Sequence, residues 1–113
     1  MCIQKNVGRA FISLGLPVSL SGYYYAKESV VCAIENPSVS NKVILASVAK
    51  KFNTDVQNVE RCIRTFIDRV WRGLVAIGLF VARPSCREFI FKCAEVITLG
   101  LVDEVKSRKF VIS

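Results

Sequence analysis

The stretch AKKFNTDVQNVERCIRTFIDRVWRG, residues 49–73, decides the fold that we predict for this chain. On a helical wheel its apolar and polar side chains separate into two opposite sectors. The apolar sector holds Val56, Val59, Ile63, Phe66, Ile67 and Val70, and the polar sector holds Gln57, Asn58, Arg61, Arg64, Thr65, Asp68 and Arg72. The pattern predicts an amphipathic helix over about residues 55–72, with one face against a core and the other presented outward.

A shorter helix is predicted immediately before it, over about residues 41–52. Its inward side chains are expected to be Val43, Ile44, Val48 and Ala49, and its outward ones Lys42, Lys50 and Lys51. A helix-turn-helix needs a small residue in the first helix and a residue tolerant of positive φ in the turn. Ala49 and Asn53 meet those demands, and Val59 followed by Cys62 or Ile63 can seat the second helix. We therefore predict a helix-turn-helix within about residues 41–73.

Capping residues predict where the long helix begins and ends. Thr54 and Gln57 fit a capping box, in which the threonine caps the helix and the glutamine reaches back to it. Gly73 suits the left-handed position that closes a helix. The following run LVAIGLFVA, residues 74–82, is predicted to be a buried short helix or turn.

Three further helices complete the prediction. Apolar spacing between Ile3 and Leu16 indicates a first helix, stopped by Gly15. Ser21 is the predicted cap of a second helix reaching about residue 36, and a last long helix starts near residue 84 or 85. The residues beyond Gly100 fit a short helix, an extended arm or a frayed end. The sum is an all-α, compact single domain of five to six helices over residues 1–113.

The composition limits the classes of function. Sixteen Lys plus Arg against nine Asp plus Glu give a formal net charge of +7, which favours an anionic partner, nucleic acid before a membrane surface. The chain has no histidine, the commonest general base and metal ligand, so an enzyme is disfavoured. Five cysteines without a C-x-x-C pair indicate reduced thiols in a cytoplasmic protein. We predict no cofactor, no metal and no membrane span.

The presented sector carries side chains that suit DNA. At the start of a helix in the major groove, Arg recognises guanine, Asn or Gln recognises adenine, and Glu accepts from the cytosine amino group. The predicted base-reading residues are Gln57, Asn58, Glu60 and Arg61. The predicted phosphate-binding residues are Lys50, Lys51, Arg64 and Thr65, with Arg69 or Arg72 as a further cation. Glu60 is also placed to pair with Arg64 at i+4. The competing interpretation is a polar face that is merely solvated.

Three segments resemble a known family. Residues 49–73 resemble the signature of the C-terminal effector domain of stage zero sporulation protein A, a response regulator of endospore formation. That signature has an A-K-K-[FY]-N-T turn, a V-E-R-x-I-R helix and an aromatic-x-R-G close. LGLPVSLSGYYYAKESV (residues 14–30) resembles its LG…GY-x-Y opening, and SCREFIFKCAEVI (residues 85–97) resembles the S-E-F-I-x-x-x-A-[DE] of its last helix.

The resemblance implies a six-helix DNA-binding domain that binds short TGTCGAA-type boxes, often as tandem copies, and activates or represses transcription. It implies base reading at the positions of Asn58, Glu60 and Arg61, with Gln57 also against the DNA. Asn58 stands where the family usually carries arginine, and Thr65 where it usually carries histidine. Because asparagine cannot make the forked contact of arginine with guanine, we expect an altered preference at one base pair.

Full-length members of that family carry a receiver domain ahead of the effector, and no part of residues 1–113 resembles one. The chain is therefore expected to be either a fragment or a stand-alone paralogue. The predicted function is sequence-specific, non-enzymatic DNA binding that regulates transcription, with sporulation-related genes as targets. RNA polymerase and a second copy of the chain on DNA are candidate partners. The alternative is a protein-interaction module of the same fold that binds DNA weakly or without sequence preference.

Overall fold

A computed structural model describes residues 3–20 and 22–100 of the protein. Within these residues the chain forms five helices and no strand, which confirms the all-α prediction. The helices are α1 (Ile3–Ser13), α2 (Gly22–Glu35), α3 (Asn41–Lys51), α4 (Val56–Ala76) and α5 (Cys86–Thr98). The predicted Ser21 cap and the tail beyond Gly100 lie outside the described residues. No helix in the described part of the chain is long and apolar enough to span a membrane.

Helix α2 lies at the centre of the fold and packs against each of the other four helices. Helix α3 packs against α4, and α5 packs against α4 and α1. Where α1, α2, α4 and α5 meet, Phe11, Tyr23, Phe66 and Phe89 contact one another edge to face, with ring centroids 5.7–6.3 Å apart. This geometry suits the quadrupoles of aromatic rings, so the cluster fixes the relative positions of four helices.

The apolar stripe of α4 is buried as predicted. Its buried members are Val59, Ile63, Phe66, Ile67 and Val70, and the stripe continues to Leu74. Only Val56, at the first position of the helix, is partly exposed. The stripe seats α4 on α2 at very close range, because a Cβ added at Gly22 would lie 2.3 Å from the carbonyl oxygen of Cys62. The two helices therefore meet almost backbone to backbone.

The turn between α3 and α4 has the conformation that the sequence predicts. Asn53 has a φ of 54° and is the one non-glycine residue with positive φ in the described part of the chain. The N–H of Asn53 donates to the carbonyl of Lys50, and the N–H of Thr54 donates to that of Ala49 at 2.9 Å. These two bonds form a Schellman motif, which satisfies the last carbonyls of α3. Asparagine tolerates the left-handed conformation better than most non-glycine residues, so it can replace glycine here.

The capping box predicted for Thr54 and Gln57 is wrong by one residue. Asp55 is the N-cap of α4, with extended backbone and a side chain that accepts from the N–H of Asn58 at 2.7 Å. The N–H of Thr54, from which the Gln57 side chain would accept in the predicted capping box, donates to the carbonyl of Ala49 and closes α3 instead. The helix therefore begins at Val56.

The predicted end of α4 at Gly73 is also wrong. The helix continues to Ala76, because Leu74 extends the apolar stripe and is 1% exposed. It ends where Gly78 takes a φ of 84° and the N–H of Leu79 donates to the carbonyl of Leu74 at 3.0 Å. The segment predicted as a buried short helix or turn is thus the last turn of α4 followed by a loop.

Other predicted inward positions need correction. Val43 is 50% exposed, because α3 turns Ile44, Leu45, Val48 and Ala49 to the core instead. Val81 in the loop after α4 is fully exposed, contrary to the predicted burial of that run. The start of α5 is confirmed within a residue or two: Ser85 is its N-cap and forms a capping box with Glu88. Hydrogen bonds from Ser85 lower the pKa of the Glu88 carboxyl.

Candidate nucleic-acid interface

The predicted site residues lie at the end of α3 and over the first half of α4. The exposed ones are Lys50, Lys51, Gln57, Arg61, Arg64 and Thr65, and the half-buried ones are Asn58 and Glu60. The chain turns at Asn53, and only four residues separate the end of α3 at Lys51 from the start of α4 at Val56. The first part of α4 is therefore presented on a basic surface.

An open polar depression marks the start of α4. It is lined by Thr54, Asp55, Gln57, Asn58 and Arg61. Gln57 makes no hydrogen bond through its side chain within the described residues, so its amide is available to a ligand. Base edges offer donors and acceptors of the kind that amide and guanidinium groups bind. The depression thus has the polarity that groove recognition needs.

Asn58 is the most heavily bonded of the predicted readers. Its Nδ2 donates to Oγ1 of Thr54 at 3.0 Å, and its Oδ1 accepts from Nη2 of Arg61 at 2.6 Å. The Sγ of Cys62 lies 3.9 Å from the same Oδ1 as a weak donor. Its backbone N–H is bound by Asp55. The amide of Asn58 therefore has partners on both its nitrogen and its oxygen before any ligand binds.

Glu60 and Arg64 form the ion pair that their spacing predicts. Oε1 of Glu60 lies 2.7 Å from Nη2 of Arg64, with both side chains partly exposed. The pair holds the guanidinium near the middle of the presented surface but occupies the carboxylate. Thr65 is tied differently: its hydroxyl donates to the carbonyl of Arg61 at 3.0 Å. That hydroxyl proton is therefore engaged within the helix.

Lys50 and Lys51 differ in their surroundings. The Nζ of Lys51 lies 2.8 Å from Oε1 of Glu28 on α2, a carboxylate whose side chain is only 12% exposed. Glu28 also accepts from Nε2 of Gln4 on α1 at 2.9 Å. The hydrogen bond from Lys51 to Glu28 raises the pKa of Lys51. Lys50 has no ion-pair partner within the described residues, so it is the freer cation of the two.

Three residues that the sequence interpretation did not assign contribute to this surface. Thr54 anchors the Asn58 amide, and Glu28 and Gln4 hold the end of α3 to α2 and α1. The i+4 spacing of Thr54 and Asn58 could have indicated the first contact. Glu28 and Lys51 are 23 residues apart and on different helices, so no local pattern links them.

The remaining candidates have structural environments. Of the three consecutive tyrosines, Tyr23 is buried, Tyr25 is half-buried and Tyr24 is exposed, so they do not form one exposed platform on which bases could stack. Trp71 is half-buried, with the Arg72 guanidinium 5.5 Å from its ring centroid. Burial raises the pKa of the Cys93 thiol to about 12. That thiol is therefore protonated at neutral pH and packs in the core as a small apolar side chain.

A family model described as "Sporulation initiation factor Spo0A C terminal" matches residues 7–77. The match covers more than half of the chain. It includes α2, α3, the turn at Asn53 and α4, and so contains every predicted site residue.

Proposed function

This chain belongs to the Spo0A C-terminal family of sporulation initiation factors, a family of DNA-binding regulatory domains and not of enzymes, and we propose that it binds duplex DNA sequence-specifically. We propose further that it regulates transcription of sporulation-related genes. Helix α4 lies in the major groove, with its first turns facing the base edges. We infer that the domain itself catalyses no reaction.

The observation that carries the proposal is the arrangement at the start of α4. Asn53 and the Asp55 cap turn the chain sharply and begin α4 where the polar depression opens. Behind it, the buried stripe of α4 and the close approach at Gly22 hold the helix rigidly on α2. A site on a rigid helix holds its side chains in fixed register, which direct readout of bases requires.

The residues that we propose for base recognition are Gln57, Glu60 and Arg61 as direct readers, with Asn58 beside them. Gln57 and Arg61 are exposed and suited to adenine and guanine. Glu60 is suited to a cytosine amino group when it leaves the ion pair with Arg64. The TGTCGAA-type box of the family is the first candidate target, altered at the base pair where arginine is replaced by Asn58.

Phosphate contacts position the helix on the duplex. Lys50 is the main candidate, since it is an exposed cation with no ion-pair partner in the described part of the chain. Arg64 is exposed as well and becomes free when Glu60 leaves their ion pair to meet a base. Lys51 contributes less because Glu28 partly neutralises it. Thr65 contributes when its hydroxyl turns from the carbonyl of Arg61, to which it now donates, and donates to a phosphate oxygen instead. A second copy of the chain on a tandem box and RNA polymerase are the further partners that we propose.

The test is fluorescence anisotropy with a TGTCGAA-type duplex and a scrambled duplex over a series of salt concentrations. Wild type should prefer the box, and Arg61→Ala should lose about 1–3 kcal/mol on the box but little on the scrambled duplex. Arg9→Ala removes the same charge from the exposed surface of α1 and serves as the matched control. Equal, purely salt-driven binding of both duplexes would contradict the proposal.

One observation favours a second candidate, a protein-interaction module. Val81 is fully exposed, and with Phe80 and Phe91 it lines an open, mainly apolar depression between α5 and the loop before it. Exposed apolar patches of this kind mark protein partners. Biolayer interferometry against purified RNA polymerase, with Val81→Asp as the variant, tests this candidate. The protein-interaction module replaces sequence-specific DNA binding as the proposed function only if binding to polymerase depends on Val81 and the two duplexes bind with equal affinity.

A further inference from the structure

The amide of Asn58 is poorly placed to bind a base directly. Recognition of adenine by asparagine uses the amide oxygen and nitrogen together, in a forked contact. Here the oxygen accepts from the Arg61 guanidinium at 2.6 Å, with the Cys62 thiol at 3.9 Å on the same atom, and the nitrogen donates to Thr54 at 3.0 Å. Asn58 is also half-buried, in contrast to the exposed Gln57 and Arg61 beside it.

The hydrogen bonds of Asn58 connect the turn before α4 to an exposed side chain on the helix. Its nitrogen is fixed to Thr54, whose own N–H is bonded to the end of α3, and its backbone N–H is fixed by Asp55. The oxygen then holds Nη2 of Arg61 one turn further along the helix. The anchored end is therefore in the turn, and the held end is an exposed guanidinium.

A free arginine must give up several rotamers when it binds, and that ordering weakens the complex. A guanidinium held through one N–H keeps other N–H groups for a forked contact with the O6 and N7 of guanine. The hydrogen bond to Asn58 therefore restricts the rotamers of Arg61 before DNA binds, so less conformational entropy is lost on binding. The guanidinium keeps enough free N–H groups to bind a base.

We propose that Asn58 is a positioning residue for DNA recognition: through its bonds to Thr54 and Arg61, it aims the Arg61 guanidinium at one guanine and does not itself read a base. This rests on the proposed function, because it assumes that Arg61 meets a base edge. It makes the base pair read by Arg61 the one whose recognition depends on Asn58.

The experiment is a double-mutant cycle with Asn58→Ala and Arg61→Ala. Anisotropy is measured on the preferred duplex and on duplexes with each base pair changed in turn. Arg61→Ala should lower affinity about tenfold or more and abolish preference at one base pair. Asn58→Ala should weaken binding by roughly fivefold and erode preference at the same base pair. In the Arg61→Ala background, it should change affinity by less than about twofold.

The inference is overturned if Asn58→Ala loses preference at a different base pair, or if its effect is undiminished without Arg61. A wild type that does not discriminate among the duplexes would instead overturn the proposed function, and the inference with it. Asn36→Ala, in the exposed loop between α2 and α3, is the matched control for an asparagine exchange.

A second variant guards against damage to the helix start. Thr54→Val keeps Asn58 but removes the oxygen that its Nδ2 donates to. Thr54→Val should reduce the preference at the same base pair as Asn58→Ala does, but by less. A loss of affinity spread evenly over all base pairs would count against the proposal. NMR of the Arg61 guanidinium N–H signals in the free protein measures the rate of guanidinium rotation and so gives a readout without DNA. Guanidinium rotation should be slow in wild type and faster in both variants.

Discussion

The substitution Gly22→Ala tests how closely α2 and α4 approach. The added Cβ would lie 2.3 Å from the carbonyl oxygen of Cys62 and 2.7 Å from Cβ of Phe66, both in α4. Since ordinary Cβ contacts begin near 3.4 Å, the helices would have to separate by about 1 Å. The opposing atom is backbone, and Phe66 is fully buried, so neither can move aside cheaply.

Overpacking of this kind lowers the free energy of unfolding by about 1–3 kcal/mol. Because the opposing atom is the backbone carbonyl oxygen of Cys62, we expect Gly22→Ala to fall at the upper end. Alanine is the better helix former, but Gly22 is the first residue of α2, where that advantage is small. We expect a net loss of about 2–3 kcal/mol, a sizeable share of the ~5–15 kcal/mol that keeps a domain folded. Thermal unfolding should show a Tm lower by roughly 10 °C.

The chain offers a matched control in Gly73→Ala. Gly73 lies inside α4 with no atom within 4 Å of an added Cβ. Because alanine also restricts the unfolded chain, this variant should be more stable than wild type by about 0.5–1 kcal/mol. Both are measured by circular dichroism melts and urea titration. A Gly22→Ala variant within about 2 °C of wild type would refute the close approach of the two helices.

Three further outcomes are expected. Lys50→Gln should reduce the slope of log Kobs against log salt by about 1 in anisotropy titrations, whereas Lys51→Gln should reduce it less, because an ion pair already holds its ammonium. Asp55→Ala should cost about 1 kcal/mol in urea unfolding and Asp55→Asn much less, since asparagine also caps helices; equal losses would contradict the capping role. The pKa of Cys93 is raised from 9.0 to about 12, so the stability due to its neutral thiol is complete below pH 9 and is lost as the pH approaches 12. In urea unfolding from pH 8 to 11, the free energy of unfolding should therefore decrease less for Cys93→Ala than for wild type. An equal decrease in both proteins would contradict a raised pKa for Cys93.

Much of the fold followed from local periodicity. The stripe from Val59 to Val70 repeats at helical spacing, so its burial could be predicted without knowing what covers it. The positive φ of Asn53 followed from the demands of a short turn. Errors arose where two residues met the same local rule. Thr54 and Asp55 can both cap a helix; in the structure the Asp55 side chain accepts from the N–H of Asn58, while the N–H of Thr54 closes α3.

The end of α4 and the contacts of the site depend on tertiary structure. Gly73 and Gly78 are both plausible ends, and the burial of Leu74 selects the second. For the site, the sequence indicates which polar residues share a face of α4. It does not indicate that Asn58 engages Arg61, or that Lys51 is held from α2, because those contacts depend on rotamers and on distant segments.

The contact between Gly22 and the backbone of Cys62 has an evolutionary consequence. It fixes the approach of α4 to α2 without involving the side chains of Gln57 or Arg61, which are exposed. Exchanges on an exposed face usually change stability by less than about 0.5 kcal/mol. After gene duplication, a copy can therefore acquire a new DNA preference through one or two substitutions while its fold is inherited intact.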